Sequence, residues 1–376
     1  MTTDIPPTSA RARVSLGAFR HNLDAVRSYV GPNVHIMAVI KADGYGHGMA
    51  QLGNEAAKAG VTHFGVARVH EGVELRTTQP SAMILVFEAP RPDTLQTAVH
   101  NRLDITTISG ETTDALESVA RNAGMKARVH VKVDTGMGRL GLPPDKALHV
   151  IQRVARSRWL ELTGVYSHFA TSEDADKSFA HEQIARFEGL LQTLINERID
   201  VPLRHMANSG AIISIPGAAY DMVRPGIMLY GYPPGDGMPE RFPVTPVLSL
   251  VSRVAFVKEV PPGTGISYGR RYFTQRTTKI ATIPMGYADG YPRLLTGKGS
   301  ALMNGVRYPV VGTICMDQLM LDLGPDAHVA VGEEVVLIGR SGSEQITAWD
   351  IGRAIGSIPY EITCVITGRV PRDYVP

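Results

Sequence analysis

A lysine followed by three closely spaced glycines is the feature of this chain that most directly suggests chemistry. Lys41 ends an apolar run and opens the stretch "KADGYGHG". A lysine that is partly desolvated and close to other cations has a lowered pKa and can form a Schiff base with a carbonyl group. Glycines let the backbone approach a ligand closely, and Tyr45 could donate a hydrogen bond to a phosphate. The same stretch also fits a surface lysine at the end of a strand, and the residues alone leave both interpretations open.

Cations and small hydrogen-bond donors recur at or just after the ends of several other apolar runs. They are Lys132, Arg139, His168, Asn208, Ser209, Arg224, Gly226 and Ile227. If the fold gathers these groups at one edge, they predict an anionic ligand. Ser209 before a helical start and Gly226 in a turn favour phosphate in particular, because helix N-termini bind anions. Taken singly, each fits an ordinary helix cap or turn residue as well; together they favour the phosphate interpretation.

The elements that would position these residues are eight apolar runs alternating with helix-like segments. The runs begin at His35, His63, Ala82, Asp104, Ala127, Leu162, Leu203 and Tyr220. Several are nearly continuous and β-branched, as strands buried on both faces are. Eight strand–helix units in succession predict a (β/α)8 barrel of the TIM type, in which functional side chains gather at the carboxyl ends of the strands. The candidate residues above lie at or near those ends.

A second domain follows a segment rich in proline and glycine, residues 231–246. Beyond it come short alternating runs such as "LSLVSRVAFVKEV" and "EEVVLIG", separated by frequent glycine and proline, which are typical of a β-strand domain. We therefore predict a barrel over residues 12–243, which carries the candidate ligand-binding residues, and a C-terminal, predominantly β domain over residues 244–376. Residues 1–11 are expected to pack against the C-terminal domain.

Composition excludes several classes of protein. The 376 residues include 44% hydrophobic and 20% charged residues, and the formal net charge is only +2. Interspersed charges argue against a nucleic-acid surface, and no run predicts a membrane-spanning helix. The two cysteines form neither a disulfide framework nor a pair with metal-ligand spacing, so we predict no metal site. The first residues lack the apolar core of a signal peptide, and we expect a cytoplasmic protein.

Eight motifs, spread over nearly the whole chain, resemble those of the alanine racemases. They are "AVIKADGYGHG", "VKVDTGMGRLG", "SHFATSE", "MANSGA", "VRPGIMLYG", "GISYG", "TICMDQ" and "PYE". The resemblance implies a pyridoxal 5'-phosphate enzyme that interconverts L- and D-alanine and supplies D-alanine for peptidoglycan. It implies that Lys41 holds the cofactor and is one base, and that Tyr268 of the partner subunit in a homodimer is the other. The family commonly has Asn-Ala where this chain has Asp43-Gly44, and we expect this change to alter local packing rather than the reaction.

The resemblance also implies roles for further residues. Arg224 would lie on the pyridine nitrogen, and His168 and Arg224 would supply the positive charge that lets Tyr268 act as a base. Lys132 would be carbamylated and would orient Arg139. The remaining cofactor contacts implied are Tyr45, His168, Asn208, Ser209, Gly226, Ile227 and Tyr360. The remaining substrate contacts implied are Met316, Asp317 and Tyr287.

Three other functions fit part of the sequence. A pyridoxal-phosphate carrier would explain Lys41 but not the additional C-terminal domain. A basic amino-acid decarboxylase of the same architecture would need a carboxylate on the pyridine nitrogen, where this chain has Arg224. A serine or broad-specificity amino-acid racemase differs in pocket volume, which the sequence does not measure.

Overall fold

A computed structural model of the chain describes residues 9–235 and 242–376, which form two compact units. One unit comprises Phe19–Gly44 and Met49–Thr245. The other comprises Tyr45–Gly48 and Pro246–Pro376, together with the N-terminal segment that ends at Ala18. Parts of two predicted segments, residues 1–8 and 236–241, lie outside the described residues.

The described residues form twenty strands and eleven helices. The strands are β1 Arg11–Ser15, β2 His35–Val39, β3 His63–Val66, β4 Met83–Val86, β5 Asp104–Thr107, β6 Ala127–Lys132, β7 Leu160–Tyr166, β8 Arg204–His205, β9 Met222–Val223, β10 Leu248–Arg253, β11 Phe256–Val260, β12 Gly265–Ile266, β13 Tyr272–Phe273, β14 Thr278–Ile283, β15 Ser300–Met303, β16 Val306–Val311, β17 Leu319–Gly324, β18 Glu334–Ser341, β19 Glu344–Ile346 and β20 Arg372–Val375. The helices are α1 Leu16–Val30, α2 Lys41–Tyr45, α3 Met49–Lys58, α4 Val69–Thr78, α5 Pro92–His100, α6 Gly110–Ala123, α7 Pro144–Arg156, α8 Ser178–Asn196, α9 Ser209–Ser214, α10 Ala348–Ile355 and α11 Pro359–Cys364.

The first unit is an eight-stranded parallel barrel with helices between its strands. The strand order is β8-β7-β6-β5-β4-β3-β2-β9. The two end strands meet where Asp221 N donates to Arg204 O at 3.0 Å and Arg224 N donates to Ala207 O at 3.0 Å. The predicted TIM-type barrel is therefore confirmed; seven of the eight predicted apolar runs contain one of these strands, and the run from Leu162 overlaps the remaining one, β7. Strand β7 begins two residues before the predicted run, at Leu160, which is buried.

Helix α1 shows why the sequence interrupts its strands where it does. Its buried residues Phe19, Leu23 and Val26 recur at helical spacing along one face. The helix ends before Gly31, whose φ of 85° is left-handed and favours glycine at a helix C-terminus. None of the helices in the described part of the chain is both long and apolar enough to cross a membrane.

The second unit is predominantly β-sheet, as predicted for the C-terminal part of the chain. Its main sheet runs β11-β14-β17-β16-β15-β18-β10-β1-β20, and β19 pairs with β18. Strand β1 joins this sheet although it precedes α1 in the chain; it is antiparallel to β10, with Arg11 opposite Val251, and parallel to β20. The domain boundary at residues 243 and 244 stays a prediction.

Candidate active site

The turn that follows the first barrel strand is left-handed. Ala42, Asp43, Gly44 and Tyr45 all have φ between 50° and 60°. Most L-residues pay roughly 1–2 kcal/mol for this conformation, whereas glycine adopts it freely and aspartate tolerates it. The Asp43 carboxylate also accepts a hydrogen bond from Met49 N, at 2.8 Å. The Asp43-Gly44 pair thus suits the local backbone directly after Lys41.

Arg224, one residue beyond β9, is the most heavily hydrogen-bonded side chain of the site. Its side chain is buried, with 4% of the residue exposed. Nη1 lies 2.9 Å from His205 Nδ1, and Nη2 lies 3.0 Å from His168 Nδ1. Nη2 also donates to the carbonyls of Ser167, at 2.8 Å, and Met206, at 3.0 Å. Both terminal nitrogens are therefore held in place.

The charge of the site rests on Arg224 and not on the histidines around it. Burial lowers the pKa of Arg224 to about 10, which leaves it protonated at pH 7. Burial, followed by the charges of Arg224 and Lys132, lowers the pKa of His168 well below its usual value of 6.5. Because Arg224 can only donate, His168 Nδ1 must be its acceptor. The sequence-based expectation that His168 shares in supplying positive charge stays a prediction, and these contacts favour a neutral imidazole instead.

Lys132, the last residue of β6, is buried in the barrel instead of pointing to solvent. Its Nζ lies 4.5 Å from the centre of the Tyr166 ring, which stacks on His205 at 4.9 Å. In residues 9–235 and 242–376, Lys132 forms no salt bridge with a carboxylate. Burial, then the charges of Arg224 and Arg139, lowers the pKa of Lys132 well below 10.5. The neutral amine is therefore populated far more than in an exposed lysine.

Arg139 lies in the loop after β6, close enough to lower the pKa of Lys132. The loop is held by Asp134, whose carboxylate accepts from Gly136 N at 2.9 Å and from Gly138 N at 3.1 Å. Arg139 itself is exposed. A cation on a braced, open loop next to a buried lysine can bind an anionic ligand once the charge repulsion between the two is relieved.

The residues predicted to bind phosphate are close together, but several of their groups already have partners. Ser209 Oγ accepts from Gly226 N at 2.9 Å, which leaves the hydroxyl hydrogen available to a ligand. Asn208 caps α9 by accepting from Ala211 N at 2.9 Å, the ordinary capping role. Ile227 is fully buried and begins a short 3-10 helix, Ile227–Tyr230. Of these polar groups, the Ser209 hydroxyl is the one best placed to donate.

The other predicted site residues belong to the second unit. Tyr268, Met316 and Tyr287 are exposed by 74%, 53% and 41%. Asp317 accepts a hydrogen bond from Arg369 at 2.8 Å. The rings of Tyr45 and Tyr360 are in contact, with their centres 5.9 Å apart, and burial raises the pKa of Tyr45 above its ordinary value.

Sequence reasoning missed four buried side chains in the barrel interior: Asp104, His130, Tyr166 and His205. A signal for one of them was present. His130 and Lys132 are two residues apart in an otherwise apolar strand, and residues at that spacing face the same side. Polar residues at alternating positions of a buried strand indicate a polar barrel interior, and this pattern would have pointed to His130.

Comparison with known proteins places these features in one family. The alanine racemase N-terminal domain matches residues 14–234, and the alanine racemase C-terminal domain matches residues 247–374. The chain is 42% identical over 363 residues to the alanine racemase of Halothermothrix orenii, covering 96% of each protein. It is 43% identical to that of Desulfovibrio desulfuricans, covering 97% of each. A solved alanine racemase from Clostridium difficile 630 superposes with a TM-score of 0.94 at 34% identity, covering 98% of this chain and 96% of that one.

Proposed function

The chain belongs to the alanine racemase family, and from this membership and the geometry of the barrel site we infer a pyridoxal-phosphate enzyme that interconverts L- and D-alanine with two bases. The observation that carries the inference is the donor set at the carboxyl ends of the barrel strands. It combines Lys41, just after the first barrel strand, β2, with Arg224, which follows the eighth barrel strand, β9, and is held by hydrogen bonds to the backbone. The third member is the Ser209 hydroxyl, which accepts a hydrogen bond from Gly226 N.

These residues fit the cofactor on chemical grounds. Lys41 would hold it covalently through its amine, and the Ser209 hydroxyl would donate to its phosphate, with Tyr45, Tyr360, Asn208, Gly226 and Ile227 completing the cofactor contacts. Arg224 Nε–H has no acceptor in the described part of the chain, whereas Nη1 contacts His205 and Nη2 contacts His168 and two backbone carbonyls. That remaining N–H suits an unprotonated ring nitrogen. When bound, pyridoxal phosphate withdraws electrons from the substrate and so acidifies its Cα proton.

Arg224 determines how strongly that withdrawal acts. A carboxylate opposite a pyridine nitrogen keeps the nitrogen protonated, whereas an arginine can only donate its own hydrogens. Arg224 would therefore hold the ring nitrogen in its unprotonated form and so would limit the electron withdrawal that the cofactor supplies. This would favour the return of a proton at Cα over transamination.

Two bases on opposite faces of Cα would carry the proton transfers. Inversion requires one base to remove the proton from one face and a second group to return a proton to the other. We assign these roles to Lys41 and to Tyr268 of the partner subunit. The 74% exposure of Tyr268 supports a position in an interface of a homodimer, because such a side chain finds little cover in its own chain. Tyr287 and Met316, also exposed, would contribute to substrate binding, with Asp317.

Lys132 would be carbamylated. A neutral amine is the form that reacts with carbon dioxide: Nζ bonds to the carbon atom, and the nitrogen loses a proton to solvent. Burial and the charges of Arg224 and Arg139 favour this neutral form. The product is an anion between two cations, which relieves their repulsion. Such a carboxylate would orient Arg139 toward the carboxylate of the substrate.

The neutral His168 has a specific place in this arrangement. Its Nδ1 accepts from Arg224, so its proton is on Nε2, which is then a donor. We propose that this N–H stabilises the phenolate form of Tyr268, while the positive charge comes from Arg224. The cellular role we propose is the supply of D-alanine for peptidoglycan in the cytoplasm.

Reductive trapping tests the assignment of Lys41. Borohydride treatment of the holoenzyme, followed by peptide mapping, should place the cofactor on the peptide that contains Lys41. The same protein should racemise L-alanine, and Lys41→Arg should lose both the label and the activity. A label on another lysine would refute the assignment, and a correctly labelled enzyme that leaves L-alanine unchanged would refute the substrate.

A further inference from the structure

Four buried side chains form a continuous polar row through the barrel, from β5 to the residue after β9. Arg224 Nη1 lies 2.9 Å from His205 Nδ1, and His205 Nε2 lies 3.1 Å from His130 Nδ1. His130 Nε2 lies 3.5 Å from Asp104 Oδ1, a longer contact. Asp104, His130 and His205 have no exposed surface. The row therefore connects the arginine of the active site to a carboxylate at the start of a distant strand.

The hydrogens along this row can be counted from one end. Arginine carries donors only, so Arg224 donates and His205 Nδ1 must be without a proton. A neutral His205 then carries its proton on Nε2 and donates to His130 Nδ1. His130 in turn carries its proton on Nε2, directed at Asp104. A single arrangement of hydrogens thus satisfies every contact.

An additional proton on either histidine would break this arrangement. If both nitrogens of His130 carried hydrogens, His130 Nδ1–H would face His205 Nε2–H. Reversing the tautomer of His205 would relieve that contact, but it would set His205 Nδ1–H against Arg224. Each histidine must therefore be neutral and in one tautomer, and only an acceptor at the far end preserves that state.

Asp104 offers that acceptor. Its Oδ2 accepts from Arg128 Nε at 3.0 Å, whereas its Oδ1 faces His130 Nε2 at 3.5 Å, an ion-pair distance and not a hydrogen bond. Neither Asp104 Oδ1 nor His130 Nε2 has a hydrogen-bond partner within the described residues, so two unsatisfied buried atoms face each other. Burial opposes ionisation of Asp104, but the contacts with His130 and Arg128 outweigh it and lower the pKa of the carboxyl group.

We propose that Asp104 and His130 are positioning residues for Arg224. By fixing the tautomer of His205, they keep His205 Nδ1 unprotonated and paired with Nη1 of Arg224. The Nε–H of Arg224 then remains available to the cofactor. The proposal rests on the proposed function, because it assigns that N–H to the ring nitrogen. A merely space-filling role for these side chains would require no particular tautomer.

The substitution Asp104→Asn tests the proposal because an amide offers one acceptor to two donors. If its oxygen stays with Arg128, its NH2 group faces His130 and forces the tautomers of both histidines to reverse. Removing the competing donor should restore the arrangement, since the amide oxygen of Asp104→Asn/Arg128→Met can turn to His130. Arg128→Met alone is the matched control, because Asp104 still accepts from His130. Thr107→Val controls for altered packing, since it lies on the same strand as Asp104 and removes a buried hydrogen bond to Thr113, which is not a member of the row.

The readout is the 15N spectrum of histidine-labelled holoenzyme, in which bare and protonated ring nitrogens have well-separated shifts. His205 is assigned by the signals absent from His205→Asn. We expect wild type to show an unprotonated Nδ1 and a protonated Nε2 at His205. In Asp104→Asn, the 15N shifts of these two nitrogens should change. Asp104→Asn should also lose about 10- to 100-fold in kcat, as partners behind a ligating side chain typically do. The double variant should recover both properties.

Three results would overturn the proposal. They are the opposite tautomer or an imidazolium at His205 in wild type, an unchanged His205 spectrum in folded Asp104→Asn, and a double variant as impaired as the single one. If Asp104→Asn does not fold, the tautomer of His205 in the wild-type spectrum still tests the proposal. Absence of racemase activity in wild type with the expected tautomer would refute the proposed function and leave the hydrogen-bonded row standing.

Discussion

Replacing Arg224 with lysine should destabilise the barrel as well as impair the reaction. The guanidinium supplies five N–H donors in a fixed plane, whereas an ammonium supplies three around a point. Four acceptors surround Nη1 and Nη2: Nδ1 of His205, Nδ1 of His168 and the carbonyl oxygens of Ser167 and Met206. Lysine carries its three hydrogens on a single nitrogen, so it cannot reach the acceptors on both sides of the guanidinium, and at least one of them loses its donor.

The size of the effect follows from the acceptors that lose their donor. Each buried polar group left unsatisfied costs about 1–3 kcal/mol. With one such acceptor, the melting temperature should fall by roughly 2 to 12 °C, given roughly 2–4 °C per kcal/mol for a unit of this size. Arg204→Lys is the matched control: its ion pair with Asp221 is partly exposed, and pairs of that kind contribute about 1 kcal/mol or less.

The assay combines thermal unfolding by circular dichroism with measurement of kcat and of pyruvate, the keto acid that transamination would release. Arg224→Lys should melt below Arg204→Lys, lose kcat and release more pyruvate per racemisation, since an ammonium can pass a proton to the ring nitrogen. Equal melting temperatures for the two variants would refute the hydrogen-bond accounting. An unchanged ratio of pyruvate to racemised alanine would refute the role assigned to Arg224 in controlling the reaction.

Two further predictions concern the lysine in the barrel and the glycine-rich turn. Because folding lowers the pKa of a free Lys132 amine, the unfolded chain binds more protons between that lowered pKa and 10.5. In carbon dioxide-free buffer, the unfolding free energy of wild type should therefore rise with pH relative to that of Lys132→Met. Bicarbonate should abolish this difference by forming the carbamate. A rise with pH that bicarbonate does not affect would contradict the carbamylation of Lys132. Gly44→Ala should cost about 1 kcal/mol in urea unfolding, chiefly for its left-handed φ of 60°, since the nearest atom to a Cβ there is the flexible end of Leu52, at 3.3 Å. Gly46→Ala should cost clearly more, because a Cβ there would lie 2.2 Å from Thr363 O, and equal costs would contradict the argument.

The sequence was sufficient to predict the barrel because its strands are buried on both faces. Each predicted apolar run, including "DITTI" and "ARVHVKV", contains or overlaps a barrel strand. The sheet position of β1 was less accessible: its five residues alternate between half-buried and buried, a pattern that fits many sheets. Its pairing with both β10 and β20 depends on residues more than 200 positions away, and no local signal carries that information.

The candidate site was predictable by residue type but not by protonation state. Lys41, Lys132 and Arg224 stood out because cations at strand ends in a barrel are uncommon unless they bind something. The neutrality of His168 could not be inferred, because it depends on which nitrogen meets Arg224. The row that reaches Asp104 joins four strands through single contacts, so its members become partners only when the barrel closes.

The central claim, inversion by two bases, is tested most directly by following Cα–H exchange in D2O for each enantiomer of alanine separately. Wild-type holoenzyme should convert each enantiomer to the other and incorporate solvent deuterium. In Tyr268→Phe, exchange should fall by about 10²- to 10⁴-fold for one enantiomer, the contribution of a positioned base, and persist for the other, because Lys41 still serves its face. Equal exchange of both enantiomers by Tyr268→Phe would contradict the account.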